Sequence, residues 1–273
     1  MNIALVYNIS MKPIVKWAGG KTQLLDELLP LIPEFNTYYE VFFGGGALYF
    51  ALEPQDAVIN DFNGQLINLY TVVRDKPAQF IRNLNQLQRN HNENEYYRIR
   101  NLFNRSLKHD HKTVASASYM LYLNKMGYNG LYRINSEGLF NVPSANRTEC
   151  HLYDRDNIYE VSRQLNNAQI MNVDFEEACA NAQPGDFVFF DSPYYNTFDT
   201  YQAGGFSKDD HIRLFNLFER LSNQGVNCLL TNSNEKFITN LYHNHHIRVV
   251  EVKRMINCDG KKRNSKEVII TNY

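Results

Sequence analysis

The 273-residue chain contains no internal repeat, no low-complexity tract and no apolar run long enough to span a bilayer as a helix. Its four cysteines, Cys150, Cys179, Cys228 and Cys258, lie far apart and form no C-x-x-C pair. That pattern argues against a zinc site and a disulfide framework, and it fits a reducing, intracellular location. The first ten residues, Met1 to Ser10, lack a basic start and a long apolar stretch, so they do not read as a signal peptide. They read as an extension, with Met11 an equally plausible start. Net charge is nearly absent, at -1. What the chain does have is 44% hydrophobic and 21% charged residues, enough for a packed core and too apolar for global disorder. The charge is unevenly spread. Residues 245–266 carry seven Lys/Arg against two acids, a local net of +5 that suits a polyanion or simply a solvated loop. His243, His245 and His246 have no carboxylate or cysteine at ligand spacing, so a polar loop is expected there and no metal.

Four short apolar runs predict strands of an α/β sheet: Tyr39 to Phe43, Ala57 to Asn60, Phe187 to Phe190 and Val226 to Leu230. Ile247 to Val252 and Val268 to Thr271 flank the basic Lys261-Lys262-Arg263 turn and predict a terminal hairpin. Between about 64 and 125 the period becomes helical. Leu66, Ile67, Tyr70 and Val73 share a face, and Pro77 suits the first turn of a helix carrying Phe80, Ile81, Leu84 and Leu87. Val114, Ala117 and Leu121 suggest another. Strands, then helices, then strands imply a helical domain inserted into an α/β domain. The expected boundaries are 1–63 with 153–273 for the α/β part and 64–152 for the insert. Residues 126–150, rich in Gly, Asn and Arg, are expected as an exposed loop region.

Four constellations carry chemistry. Asp191-Ser192-Pro193-Tyr194 follows the buried-strand run Phe187 to Phe190. The carboxylate can accept one N–H of an exocyclic amine, a backbone carbonyl beside it the other, and the Tyr ring can stack on a flat base. The same string also suits a strand-ending turn. Phe43-Gly44-Gly45-Gly46 lies between a strand and Ala47, where glycines permit close approach of a ligand or merely a tight turn. Asp61 ends the next strand, as a ribose acceptor or a helix N-cap. Lys16-Trp17-Ala18-Gly19-Gly20-Lys21 shares only its Gly-Lys-Thr end with a phosphate loop, so an ATPase is not expected. Lys21 can instead meet a carboxylate. Trp17, the only tryptophan, can line a purine or sulfonium pocket or fill the core.

With these residues the chain resembles the Dam-type, D12-class DNA adenine-N6 methyltransferases. Lys16 to Lys21 looks like the amino-terminal motif, Tyr39 to Gly46 the cofactor motif and Asn60 to Asn63 the ribose stretch. Gly127 to Arg133 with Phe140 to Pro143 looks like the target-reading region, Asp174-Phe175 the adenine side of the cofactor site and Asp191 to Tyr194 the catalytic motif. The resemblance implies a Rossmann-like S-adenosylmethionine-dependent methyltransferase sheet with a terminal β-hairpin and an inserted, mainly helical target-recognition domain. It implies S-adenosylmethionine held by Trp17, Ala18, Gly19, Lys21, Phe43, Gly44, Gly45, Gly46, Asp61, Asp174, Phe175 and Asp191. Catalysis falls to Asp191, Ser192, Pro193 and Tyr194.

Double-stranded DNA is the implied partner. Lys16, Tyr128, Asn129, Leu131, Arg133 and Pro143 are the expected readers, and Lys261, Lys262 and Arg263 the expected phosphate contacts. The expected product is N6-methyladenine, within GATC or another palindrome such as CATG. A cytosine-N4 enzyme and an inactive DNA-binding relative are the alternatives. A companion restriction endonuclease and a monomer or weak dimer on DNA are consistent with the family. Two departures stand out: Ser192 replaces a family proline, and Ser144-Ala145-Asn146-Arg147 replaces an aromatic-glycine-arginine-tyrosine run.

Overall fold

A strand buried on both faces sends successive side chains into two different cores, so it reads as an unbroken apolar run. In the computed structural model, which describes residues 11–196, 205–253 and 264–273, Phe187–Phe190 does this. Phe187 and Phe189 enter one core with Tyr38, Ile59 and Leu229. Val188 and Phe190 enter the other with Tyr39, Val58 and Leu230.

The described strands are β1 (Tyr38–Glu40), β2 (Ala57–Asn60), β3 (Ala168–Met171), β4 (Phe187–Phe190), β5 (Asn227–Ser233), β6 (His246–Lys253) and β7 (Asn264–Thr271). They form one sheet in the order β3-β2-β1-β4-β5-β7-β6. β1 pairs parallel with both β2 and β4. β7 runs antiparallel between β5 and β6 and supplies the expected terminal hairpin. The helices are α1 (Leu25–Leu28), α2 (Ala47–Leu52), α3 (Gly64–Asp75), α4 (Pro77–Arg89), α5 (Glu93–Lys108), α6 (Val114–Met126), α7 (Arg155–Leu165), α8 (Phe175–Ala178), α9 (Lys208–Asn223) and α10 (Lys236–Leu241). This is a Rossmann-like arrangement, with its main helical block between β2 and β3.

Within that block α6 is central and packs against α3, α4 and α5. Its sequence explains the position. Thr113 and Ser116 form a reciprocal capping box at its start, and the helix is buried nearly all round. Pro77 opens α4, and Phe80, Ile81, Leu84 and Leu87 form its buried face, as their spacing predicts.

The structure corrects several expectations. β1 ends at Glu40 rather than Phe43, because the chain turns through two left-handed glycines, Gly44 and Gly46. β3 escaped notice because it is a short edge strand with one buried residue in four, so it has no apolar run. α5, α7 and α9 were likewise not singled out. Residues 126–150 are irregular but not simply exposed. Tyr132, Phe140 and Val142 are buried, and isolated bridges join Gly127 to Ser144 and Ile134 to Phe140. Asn63 rather than Asp61 caps α3, accepting the N–H groups of Gln65 and Leu66. The basic turn Lys261-Lys262-Arg263 and the segment Met1–Ser10 lie outside the described residues.

The strand ends that carry the candidate residues are stitched by Asn60, which is 1% exposed. Its Nδ2 donates to the Val41 and Val173 carbonyls, both at 3.1 Å, and its Oδ1 accepts from Val173 N at 2.9 Å. Asn60→Ala should therefore lower the unfolding free energy by about 2–4 kcal/mol, since it strands several buried polar groups. Chemical denaturation measures this. A loss under about 0.5 kcal/mol would show that water replaces the amide freely.

Candidate active site

Four segments leave the carboxyl ends of β1 to β4 side by side, and each carries candidate residues. After β1, Gly44 has φ +49°, and a Cβ there would lie 2.7 Å from Trp17 Cδ1. Gly46 has φ +65°, with its Cβ position 2.4 Å from the Phe43 ring. Both positions need glycine for backbone and space alike. After β2, Asp61 faces this turn. Its Oδ2 accepts Gly44 N at 2.8 Å and its Oδ1 accepts Asn63 N at 2.8 Å. Burial pushes its pKa up to about 6, against the pull of those two N–H groups. After β3, Asp174 caps α8 and is held by Arg213 at 2.9 Å, while the Arg213 guanidinium lies 4.8 Å from the Phe175 ring centre.

After β4 comes Asp191, the centre of the site. Lys21 Nζ lies 2.5 Å from its Oδ1, and Thr231 Oγ1 donates to the same oxygen at 2.9 Å. Lys21 is only 5% exposed; it also donates to Gly19 O at 2.7 Å and sits 4.8 Å from the Tyr194 ring centre. One ammonium thus fixes both the carboxylate and the ring. Both of these bonds to Asp191 fall on Oδ1 rather than Oδ2. Tyr194 is held at its other end, where its hydroxyl donates to Glu267 Oε2 at 2.6 Å. Burial first, and then the charges of Asp191 and Glu267, drive its pKa well above that of an ordinary phenol. Tyr194 therefore offers a neutral face rather than a base. Beneath the site Glu40 accepts from Tyr38 Oη at 2.7 Å and Tyr49 N at 3.2 Å. Burial raises its pKa to about 8, against the pull of the Tyr38 hydroxyl.

Ser192 is buried, and its hydroxyl accepts from Asn232 Nδ2 at 3.3 Å. The Asn232 Oδ1 accepts the N–H groups of Tyr195 and Ser233 at 3.0 and 2.8 Å. Ser233 Oγ donates to Tyr195 O at 2.9 Å. The end of β5 thus holds the shape of the loop after β4 by side-chain bonds.

A second cluster adjoins the first through residues 16 and 17. Trp17 lies against Gly44 on one side and 5.4 Å from the Tyr132 ring on the other. Lys16, Tyr128, Asn129, Arg133 and Pro143 are exposed and Leu131 is half-buried. Tyr128 N donates to Pro143 O at 2.9 Å, which places these two residues together. Arg133 Nε donates to Asn141 Oδ1 at 2.6 Å and Nη2 to Asn141 O at 3.4 Å. Ala18 and Gly19 are exposed at the edge of the site.

A family model of the D12 class N6 adenine-specific DNA methyltransferases matches residues 17–256. The chain belongs to that class. Among relatives, the Type II methyltransferase M1.LlaDCHI of Lactococcus lactis subsp. cremoris is 40% identical, the match covering 100% of this chain and 99% of the relative. M.MjaIII, a Type II methyltransferase of Methanocaldococcus jannaschii, is 36% identical over 97% of this chain and 100% of its own. The retron Ec67 DNA adenine methylase of Escherichia coli is 33% identical over 95% of this chain and 90% of its own. Membership makes the chain an adenine-specific DNA methyltransferase and implies S-adenosylmethionine as its methyl donor.

Within this D12-class frame, sequence reasoning missed Thr231, Asn232, Glu267 and Asn124. The first two follow the same rule as Asp191, since they end the strand beside β4. Glu267 directly precedes the β-branched run of β7 and carried no motif to mark it.

Ser192→Pro removes the hydroxyl that occupies Asn232 Nδ2 but keeps the carbonyl and stiffens the loop. We expect turnover within a few-fold of the parent and an unfolding free energy lower by about 1–2 kcal/mol, from the stranded amide. Steady-state kinetics and thermal melting read the two effects separately. A hundredfold fall in kcat would give the hydroxyl a role in turnover.

Proposed function

We propose that this methyltransferase transfers a methyl group from S-adenosylmethionine to N6 of an adenine flipped out of duplex DNA, within GATC. The observation that carries the reading is the Asp191 carboxylate, pinned through Oδ1 by Lys21 and Thr231 beside the Tyr194 ring. The adenine amine is a poor nucleophile because its lone pair is delocalised into the ring. Asp191 Oδ2 and the Ser192 carbonyl accept its two N–H groups. These bonds favour a more tetrahedral nitrogen and aim its lone pair. Positioning and preorganised charge therefore do the catalytic work, and no side chain has to remove a proton before attack. Tyr194 stacks on the flipped base and offsets part of an unstacking cost of a few kcal/mol. Pro193 stiffens the loop between them.

S-adenosylmethionine, when bound, supplies the methyl group on a positively charged sulfonium. The donor set suits it. Each Asp61 oxygen takes one backbone N–H and keeps a lone pair for a ribose hydroxyl. Asp174 and Phe175 would face the adenine ring. Trp17, Ala18, Gly19, Lys21 and Phe43 to Gly46 would surround the remainder.

We read 64–152 as the target-recognition unit, set between 1–63 and 153–273. Tyr128, 52% exposed, wedges into the gap left by the flipped base, with Asn129 facing its orphaned partner. Arg133 keeps three N–H groups beyond its bonds to Asn141, enough for bidentate contact with guanine O6 and N7. Lys16 meets the first guanine, and Leu131 and Pro143 meet thymine methyl groups. Lys261, Lys262 and Arg263 contact phosphates. The names of two relatives support a restriction-modification role with a companion endonuclease. The enzyme would work intracellularly, as a monomer or weak dimer on DNA. No described helix is long and apolar enough to cross a membrane.

Methylation of random-sequence duplexes, followed by mapping of modified adenines, tests the specificity. Predominant modification at CATG would replace GATC. Asp191→Ala should abolish methyl transfer and leave DNA affinity within a few-fold. Residual activity above about a tenth would remove Asp191 from the mechanism, since positioning of this kind is worth far more.

Asp61 gives a pH test. Its raised folded-state pKa means that it gains a proton as pH falls through about 6, and a protonated carboxyl is a poorer acceptor for ribose hydroxyls. The stability it contributes has the opposite sense, full below the unfolded pKa of about 3.9 and lost as pH rises through about 6. Affinity for S-adenosylmethionine should weaken about tenfold between pH 7 and pH 5. Asp61→Asn should bind more weakly at pH 7 and show a flat profile over that range. A flat profile in the parent by calorimetry would rule out this ribose role.

A further inference from the structure

We propose that Asn124 is a positioning residue for sequence recognition: its buried amide locks the Lys16 and Gly130 backbones together, so that both DNA-reading segments are set as one unit. The proposal rests on the reading above that Lys16 and the Tyr128–Arg133 loop contact bases.

Asn124 lies in the last turn of α6 and is 2% exposed. Its Oδ1 accepts Lys16 N at 2.8 Å. Its Nδ2 donates to Lys16 O at 2.7 Å and to Gly130 O at 2.9 Å. Both amide hydrogens are used, and the orientation is forced. A flipped amide would turn its NH2 toward the Lys16 N–H and its oxygen toward two carbonyls. The two segments also touch directly. Gly130 has φ +67°, and a Cβ there would lie 2.7 Å from Lys16 Cδ and 2.9 Å from Lys16 Cβ. The Lys16 stem therefore rests on the Gly130 backbone, beside the exposed Tyr128 and Asn129. Lys16 and Asn124 are 108 residues apart in sequence, and this amide joins them. A helix rigidly packed in the block thus sets the distance between an amino-terminal lysine and the reading loop. An error of an ångström there would misalign contacts at two separate base pairs.

Mere destabilisation lowers the active fraction and scales every rate alike. Loss of register changes the ratio of rates between substrates. The test therefore uses duplexes in which each base pair of the mapped site is replaced in turn, with kcat/KM measured on each. Lys16→Ala should relax discrimination at one base pair and Arg133→Ala at a different one. Asn124→Ala should relax both together, each by about tenfold, toward the lower end of what a lost bidentate contact is worth. Asn124→Asp keeps the acceptor for Lys16 N–H but loses both donors, and it should behave alike. Gly130→Ala drives a methyl group into the Lys16 stem and meets Asn124 only at its backbone carbonyl, 3.4 Å away, so the side-chain amide stays intact, and it should show the same double loss. Thermal melting checks that each variant is folded, and where Asn124→Ala is not, the other two carry the result. Equal rate loss on all duplexes, or relaxation at only one of the two base pairs, would overturn the proposal. If Lys16→Ala and Arg133→Ala themselves leave discrimination intact, the base-reading assignment falls and this proposal falls with it.

Discussion

The reversal of strand order between β1 and β4 is the constraint on which the site depends. From β1 the sheet grows through β2 to β3 on one side, and from β4 to β5 on the other. The connections leave in opposite directions, so a crevice opens above the boundary between the two strands. The glycine turn after β1 and the Asp191 loop after β4 border that crevice. A lysine reaching in from residue 21 bridges it. Lys21 is mostly withdrawn from water, where a charge without a partner would be costly. Asp191, Gly19 O and the Tyr194 face together supply that partnership.

Residues 16–21 therefore do more than their length suggests. Lys16 lies on the Gly130 backbone, Trp17 on the glycine turn and Lys21 on the Asp191 carboxylate. One short stretch of backbone touches the three segments to which we assign DNA reading, cofactor binding and catalysis. Its path is fixed by Asn124 at one end and by the Lys21–Asp191 pair at the other.

The departure at Ser192 has a structural counterpart. A proline stiffens a loop by restricting its own backbone, independently of its neighbours. Here a serine hydroxyl and the Asn232 amide hold the loop through hydrogen bonds from the adjacent strand. The restraint is enthalpic and non-local, and it depends on β5 being in register with β4. At Ser144 to Arg147 the altered run is tied back to α6 by Ala145 N donating to Met126 O at 2.9 Å. The backbone of residues 144–147 is thus anchored although the family side chains are absent.

Local pattern made much of this legible. Phe187–Phe190 read as a doubly buried strand because both its faces are apolar, and Pro77 marked a helix start because its fixed φ and missing N–H suit that place. The residue string from Lys16 to Tyr194 marked the enzyme family, since the order of chemically distinctive blocks along a chain is a property of sequence. β3 was invisible because an edge strand needs no apolar run, and the early end of β1 because dihedral angles are not written in hydrophobicity. Asn124, Thr231, Asn232 and Glu267 were also beyond reach. Each acts on a partner between 37 and 108 residues away, through a hydrogen bond whose value depends on burial and angle. Pattern along the chain was enough to name Asp191, Tyr194, Lys21 and Asp61 and to fix their order. Which oxygen of Asp191 is occupied, what holds Tyr194 and what sets Lys16 against Gly130 became visible only in the folded protein, because those are distances between segments that meet when the sheet and the helical block close.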